Sequence, residues 1–518
     1  MSRKVLIVGG GSAGWITAAY LARQLSADLP GGIDLTLIES PDIDPIGVGE
    51  GTFPSIVNTL SRIGLDESVL FREADATYKQ GVSFVNWIRG SDNYYHLFQP
   101  ANKPNGLDLL PYWLLGEAGD VPWSSVASVQ SRIVEACKAP KQFAPEGSTR
   151  SLAYAYHFDA AAFAGVLRRH ATTMGVKHIS DTVVDVQVSE DGAIHCVHTE
   201  KNGPMDADLY IDCTGFAARL IGKALGMPFT SCRHQLFTDR AVVIQQPYAD
   251  LQKPIPSCTY ATACKAGWIW DIGLRSRRGV GYVYSSSHTS DEDAIKQLKT
   301  YFGLVGASLE PRQIKFEAGY RKVQWHKNCV AIGLSAGFME PLEATGLGLV
   351  ESAAQTLAAL FPWAGPLEMA AHQFNKKMAR RYDNLVDFIK LHYCLSQRRD
   401  SEFWIDNCDP RSIPDSLQER LESWRYRTPD VIDIDYGHDT FIEGNWRQVL
   451  YGMGFRTDLS ARRGAYRYHE AARKAFNDIA RQADYAMSIL PSHRDLIEDT
   501  VRRGSDPAKR NAVIAENN

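Results

Sequence analysis

No stretch of the 518-residue chain approaches ~18 consecutive apolar residues, so no helix is expected to span a membrane. Neither sign of charge dominates. A formal net charge of -4, with no basic stripe interleaved with aromatics, excludes nucleic acid as an expected partner. Cysteine is scarce and badly spaced for pairing. Nine cysteines without a CxxC pair speak against a disulfide framework or a metal site and for reduced thiols in a cytoplasmic setting. Cys213 and Cys329 fall in apolar runs and are read as core. Internal repeats and low-complexity tracts are absent. The basic start Met1-Ser2-Arg3-Lys4 lacks the long apolar run a signal peptide would need, because Val5 to Val8 leads straight into glycines.

The chain does have the composition of an ordinary globular protein, with 44% hydrophobic and 22% charged residues. Its length would allow about three domains, or one large enzyme built as an intimate unit. Lys4 to Val8 reads as a strand, Ser12 to Gln24 as a helix and Ile33 to Glu39 as the next strand. This βαβ pattern closes within about 30 residues, which gives weight to Gly9-x-Gly11-x-x-Gly14 as a dinucleotide loop. Its glycines permit a tight turn, the helix N-terminus faces a pyrophosphate, and Glu39 is placed to accept from a ribose hydroxyl. Pro45 to Thr52 is a second glycine-rich loop, equally readable as a simple connector.

Further along, Lys138 to Arg150 reads as a surface loop, Phe158 to His170 as a helix, and Val183 to Val188 and Ile194 to Thr199 as strands. Met205 to Gly215 reads as a strand ending in a glycine turn, a pattern that favours FAD over NAD. Arg240 to Tyr284 holds several strand-like runs, expected to form an inserted antiparallel sheet. From Leu360 onward the pattern is mostly helical, with Glu368 to Arg399 and Ser460 to Leu490 expected to cover a substrate pocket. The fold class expected is α/β: a Rossmann-like FAD-binding domain of the glutathione reductase or aromatic hydroxylase type. That domain spans 1-360, with inserts near 96-150 and 225-310, followed by a helical region over 361-518.

Gly267-Trp268-Ile269-Trp270-Asp271-Ile272-Gly273 sets two indoles two residues apart. On a strand, both rings face the same way and form a rigid wall. Such a pair is most often plain packing. Together with the glycine loop, Thr77-Tyr78-Lys79-Gln80-Gly81 and Pro341-Leu342-Glu343-Ala344-Thr345-Gly346, it resembles flavin-dependent halogenases of the tryptophan halogenase type.

That resemblance implies an enzyme using FAD, as FADH2 from a separate NAD(P)H-dependent flavin reductase, with O2 and chloride or bromide as co-substrates. The expected product is a halogenated electron-rich aromatic, an indole foremost, made through a flavin peroxide and hypohalous acid. Lys79 would relay the oxidant, as a haloamine or as a hydrogen-bond donor, and Glu343 would orient it and take the ring proton. Outside this pattern Lys79 would read as an exposed lysine, and Glu343 as a carboxylate favoured at a helix start. By the same resemblance Thr345 and Gly346 hold the halide, where a bland reading sees a helix cap. Trp268 and Trp270 would wall the flavin site. Gly9, Gly11, Ser12, Ala13, Gly14, Glu39, Glu50, Val183, Leu334 and Leu347 would contact FAD.

His96, Phe98 and Trp446 match ring-sandwiching positions of the family, and equally suit a core. Two departures stand out: Gly273 replaces a signature proline, and Ala344 replaces a serine usual in tryptophan-halogenating relatives. No adjacent tyrosine pair lies between Val431 and Gly454, which favours indole or another aromatic over free tryptophan. An aromatic hydroxylase and an inactive flavin-binding protein are the alternatives, and both monomer and homodimer suit the sequence.

Overall fold

The computed structural model describes residues 3-43, 49-143, 151-303, 311-435 and 439-504. The chain divides into two compact units, each assembled from three segments. The first comprises Met1–Ala76, Phe158–Arg233 and Phe316–Asp383, and the second Thr77–His157, His234–Lys315 and Asn384–Asn518. Most of the segments expected as inserts, near 96-150 and 225-310, therefore group with residues 384 onward.

In the first unit, the strands Trp325–His326, Cys329–Ala331, Leu209–Asp212, Lys4–Val8, Asp34–Glu39 and Lys177–Ser180 form, in that order, a six-stranded sheet. It is parallel except for its antiparallel first pair. Val5 lies opposite both Leu35 and Leu209, so apolar side chains meet in register across the centre. Leu6, Val8, Ile38, Tyr210 and Cys329 join one buried cluster. Both faces of a parallel sheet need cover, and the Ser12–Gln24 helix contributes to it with Trp15, Ile16 and Ala19 almost wholly buried. The expected strand ending at Gly215 is shorter, Leu209–Asp212, and Cys213 lies just past it, half-buried, while Cys329 is core. The helix expected from Phe158 begins at Ala160, because the Asp159 carboxylate accepts from the Ala162 N–H at 2.9 Å and caps it.

The second unit is built on a seven-stranded sheet in the order Arg312–Lys315, Arg240–Pro247, Arg277–Tyr284, Gly267–Gly273, Thr259–Cys264, Gly81–Val85 and Asn93–Leu97. One neighbouring pair, Thr259–Cys264 with Gly81–Val85, runs parallel and the rest are antiparallel. Its helices include Glu402–Asn407, Asp415–Trp424, Glu443–Gly452, His469–Ile489 and His493–Gly504. The helix expected over 460-490 starts nine residues late by its observed bounds, since 460-465 close into a 3-10 turn. The Glu368–Cys394 helix ends before the polar Ser396 to Asp400 stretch. Among the described residues no helix is long and apolar enough to cross a membrane.

Candidate functional site

The first unit gathers the residues of the dinucleotide pattern. Gly9 has φ +114, and a Cβ there would stand 2.2 Å from the Cys213 carbonyl oxygen. A Cβ on Gly14 would meet the Gly9 carbonyl oxygen at 1.9 Å, so only glycine lets the helix sit this close to the strand. Gly11 differs. Among the described residues nothing lies within 4 Å of where its Cβ would be. It is also the N-cap of the Ser12–Gln24 helix, with no side-chain cap hydrogen bond and no acidic residue in the first turn. Close-packed glycines below and open space above, at an uncapped helix start, fit the pyrophosphate of a dinucleotide. Gly14→Val is expected to abolish FAD binding and to unfold cooperatively at lower urea, measured by flavin fluorescence titration and urea midpoints.

Glu39 closes the second strand. Its carboxylate accepts from Trp15 Nε1 at 3.3 Å and lies 2.8 Å from His178 Nε2 and 3.4 Å from Arg168. The Gly333–Ser335 turn, which carries Leu334, comes against the loop: a Cβ on Gly333 would stand 2.8 Å from Ala13 Cβ and 3.7 Å from a Val350 methyl. Val350 belongs to the Thr345–Ala359 helix, so glycine loop, Leu334 turn and this helix meet in one unit. Val183 and Leu347 are buried. Burial, with Asp159 adding repulsion, pushes the Glu50 carboxyl up to about 7. Pro45 to Val48 of the second loop lie outside the described residues.

The start of the Thr345–Ala359 helix departs from the bland reading of a cap. Thr345 is the first helical residue and the N-cap is Ala344, which has no side chain able to accept a hydrogen bond. The first turn holds no acidic residue, and nothing among the described residues lies within 4 Å of a Gly346 Cβ position. Glu343 has φ 65 and Ala344 φ 53, two successive left-handed residues that are not glycine. That conformation costs about 1-2 kcal/mol per residue, so it marks a turn held against its own preference. Glu343 itself is 2% exposed.

Glu351, two turns further along the same helix, had no sequence signal. Thr59 and Ser55 donate to it, Ser55 at 3.2 Å, yet burial wins and its carboxyl is pushed up to about 7. Folding therefore favours its protonated form. The stability this gives is full below about 4.5, falls as pH rises, and is gone above about 7. Glu351→Gln is expected to remove that dependence, keeping about 3 kcal/mol that the native chain loses over this window, as read from urea midpoints against pH.

The second unit holds Lys79. It ends the Thr77–Lys79 strand, is 0% exposed, and pairs with Ala155, a small residue that leaves space on its face. The Phe98 ring centre is 5.4 Å from its Nζ. Two histidines that no sequence pattern marked support this strand. The Tyr78 N–H donates to His493 Nε2 at 3.0 Å, while Nδ1 of the same ring faces the Ile255 carbonyl at 3.0 Å. The carbonyl can only accept, so Nδ1 carries the proton and Nε2 is the acceptor. Burial pushes this imidazole down to about 4, in keeping with its neutral state.

His157 lies between Thr77 Oγ1 at 3.4 Å and Thr259 Oγ1 at 2.8 Å. Thr77 gives its own proton to the Gly273 carbonyl at 2.7 Å, so His157 Nδ1–H donates to Thr77 and Nε2 accepts from Thr259. Burial foremost, and then the Lys79 charge, hold this imidazole well below its ordinary value. Lys79 thus stands beside rings fixed as neutral.

The indole pair lies on the Gly267–Gly273 strand as the spacing implied, with ring centres 6.4 Å apart. Trp270 pairs with Gly281, where a Cβ would collide with the indole at 2.2 Å, so the ring lies across the neighbouring strand. The departure at Gly273 has a local reason: a Cβ there would meet an Ile255 methyl at 2.9 Å and the Tyr248 hydroxyl at 3.1 Å.

His96 and Trp446 both approach Phe388, at 5.8 Å and 4.9 Å, and Phe388 stacks on Phe441 at 3.7 Å. Neither phenylalanine was marked by the sequence. His96 Nε2 is 2.8 Å from Asn445 Nδ2, and Trp446 packs on Trp424. Phe98 has a different setting. It lines a recess with Leu97, Trp123, Ile442 and Glu443.

Comparison with known proteins bears on both units. A family profile described as tryptophan halogenase matches residues 4–467. The chain is 35% identical over 514 residues to a 7-chloro-L-tryptophan 6-halogenase from Kutzneria sp. (strain 744), covering 95% of this chain and 98% of that protein. It is similar to a solved tryptophan halogenase from Shewanella frigidimarina NCIMB 400, with 42% identity, TM-score 0.92, and coverage of 97% of this chain and 98% of that one. A flavin-dependent halogenase from Brevundimonas sp. BAL3 gives 32% identity and TM-score 0.86, with 96% and 99% covered.

Proposed function

The chain belongs to the tryptophan halogenase family and is a flavin-dependent halogenase, and from that premise we propose that it halogenates an electron-rich aromatic, an indole foremost. FADH2 would come from a separate NAD(P)H-dependent reductase, with O2 and chloride or bromide as co-substrates. When bound, reduced FAD supplies the electrons by which O2, halide and a proton yield hypohalous acid and water. The protein's own groups then have three tasks: hold the anion, carry the oxidant and accept the ring proton.

For the first, the Thr345 and Gly346 N–H groups at the uncapped start of the Thr345–Ala359 helix offer an anion the positive end of the helix dipole. Lys79 has the second. As a neutral amine it would take the halogen as a haloamine, and as an ammonium it would hydrogen-bond the acid and orient it. Glu343 has the third. A buried carboxylate stabilises the cationic ring intermediate and removes its proton, so that arene and hypohalous acid give haloarene and water. The observation carrying this reading is Lys79 itself: a wholly buried amine on a strand pinned by neutral imidazoles, against the Phe98 ring. The free cysteines, with no disulfide among the described residues, suit a reducing compartment.

The test is turnover with a flavin reductase and each halide in turn, on indoles and phenols, read by isotope pattern. A halogen-containing product is expected with at least one halide. Hydroxylated product alone, unaffected by halide, would instead indicate an aromatic hydroxylase.

A further inference from the structure

The Thr345–Ala359 helix carries one ionisable side chain in its 15 residues, and that side chain is Glu351. It is 1% exposed. Counted from Thr345 at ~1.5 Å per residue, it lies about 9 Å along the axis from the helix start. Its oxygens face the Ser55–Ile63 helix, where Ser55 donates to one at 3.2 Å and Thr59 donates to the other. Gln355, one turn on, donates to the Thr59 hydroxyl at 3.4 Å. A hydroxyl can donate to a carboxylate and accept from a carboxylic acid, so Glu351 keeps its partners in either charge state.

That charge state is felt at the other end of the helix. The start of a helix offers an anion roughly half a positive charge, and an ionised carboxylate in the same helix sets a full negative charge against it. Two unit charges roughly 10 Å apart, at an effective dielectric of about 20, repel by the equivalent of about tenfold in affinity. The main elements packed on this helix are Ser12–Gln24, Ser55–Ile63 and the Gly333–Ser335 and Leu342–Ala344 turns. Their ionisable groups are Tyr20, Arg23, Arg62 and Glu343. Arg62 donates to the Tyr20 hydroxyl at 3.2 Å, Arg23 is in the last turn of its helix, and Glu343 precedes the Thr345 turn. None of the four acts measurably on Glu351, where burial outweighs the two hydroxyls and leaves the carboxyl at about 7. Its ionisation therefore falls in the neutral range.

We propose that Glu351 couples halide binding to the uptake of a proton: the anion seats at Thr345 and Gly346 while the Glu351 carboxyl is protonated, and its hold weakens as that carboxyl ionises. The coupling rests on the reading of Thr345 and Gly346 as the halide site. The proton stays on Glu351, which sets the affinity of the helix start and does not enter the chemistry. By reciprocity, a bound halide raises the carboxyl by about one pH unit, the counterpart of a tenfold change in affinity.

Chloride-35 line broadening on the FAD-loaded whole chain, with chloride varied at fixed ionic strength, reads the affinity. In the native chain chloride is expected to bind about tenfold more weakly at about pH 8.5 than at about pH 5.5. Glu351→Gln keeps the size and the neutral state of the protonated side chain, and is expected to hold the low-pH affinity across that range. Thr59→Val withdraws a donor that favours the ionised form, so the midpoint of the same curve is expected to rise by about one pH unit. At about pH 7.5 the native chain is expected to take up about half a proton per chloride bound, read with an indicator dye in weak buffer, and Glu351→Gln none. A purely structural carboxyl would alter stability and leave both chloride readouts unmoved. Saturable binding that ignores pH in the native chain, or that keeps the same pH dependence in Glu351→Gln, would overturn this inference alone. Absence of saturable chloride binding at every pH would remove the halide site from this helix, and the inference with it.

Discussion

Lys79→Met is expected to lower halogenated product by about 10²- to 10⁴-fold, the span of a positioned proton-transfer or relay group, while FAD binding and halide-dependent oxygen consumption persist. Methionine keeps the length and the burial of the lysine stem, so the Thr77–Lys79 strand retains its pairing with Ala155 and its contact with His493. What disappears is the nitrogen. Oxidant would still be formed and would escape, appearing as halogenation of a freely diffusing trap. Mass analysis of product against oxygen uptake separates the two steps. A variant that makes product at the native rate would remove Lys79 from the chemistry.

Glu343→Gln is expected to lose about 10²-fold or more in the same assay, because an amide neither balances a ring cation nor takes its proton. Glu343→Gly should lose as much, and the two variants should then differ in stability. Glu343 and Ala344 are both left-handed, φ 65 and φ 53, a conformation only glycine adopts at no cost. Glycine at 343 relieves the strain that glutamine retains. The glycine variant is therefore expected to be more stable than the glutamine variant by about 1 kcal/mol, even after its extra unfolded-state entropy. Thermal unfolding of the two proteins measures this. A glycine variant less stable than the glutamine one would mean that the turn is relaxed and that no activity is bound up in its conformation.

The first βαβ unit was legible in the sequence because its signals are local. Glycines at fixed offsets, an apolar run and a helical face all fall within one short window, and the Ser12–Gln24 helix lies where the pattern put it. The indole pair was legible for the same reason, since a period of two fixes the face of a strand. Element ends were less so: Asp159 acts as a cap only because its side chain turns back to Ala162, which composition does not reveal.

The supports of Lys79 were invisible. His493 lies 415 residues from Tyr78 in sequence and reaches it through tertiary packing alone. His157, Thr259 and Gly273 come from separate strands and form a chain of hydrogen bonds only once those strands are assembled. Glu351 carries no signal in the sequence. The upward push on its carboxyl follows from a burial that no helical period discloses. The Phe388 and Phe441 stack, between His96 and Trp446, was likewise a product of packing between distant segments.

The central claim is that Lys79 and Glu343 serve a single chemical step, and a double-mutant cycle on halogenation rate tests it most directly. If they act as a unit, removing the second group after the first costs little. The account expects Lys79→Met with Glu343→Gln to be no more than a few-fold slower than Lys79→Met alone. Losses that multiply in full, each substitution costing the same whether or not the other is present, would contradict it.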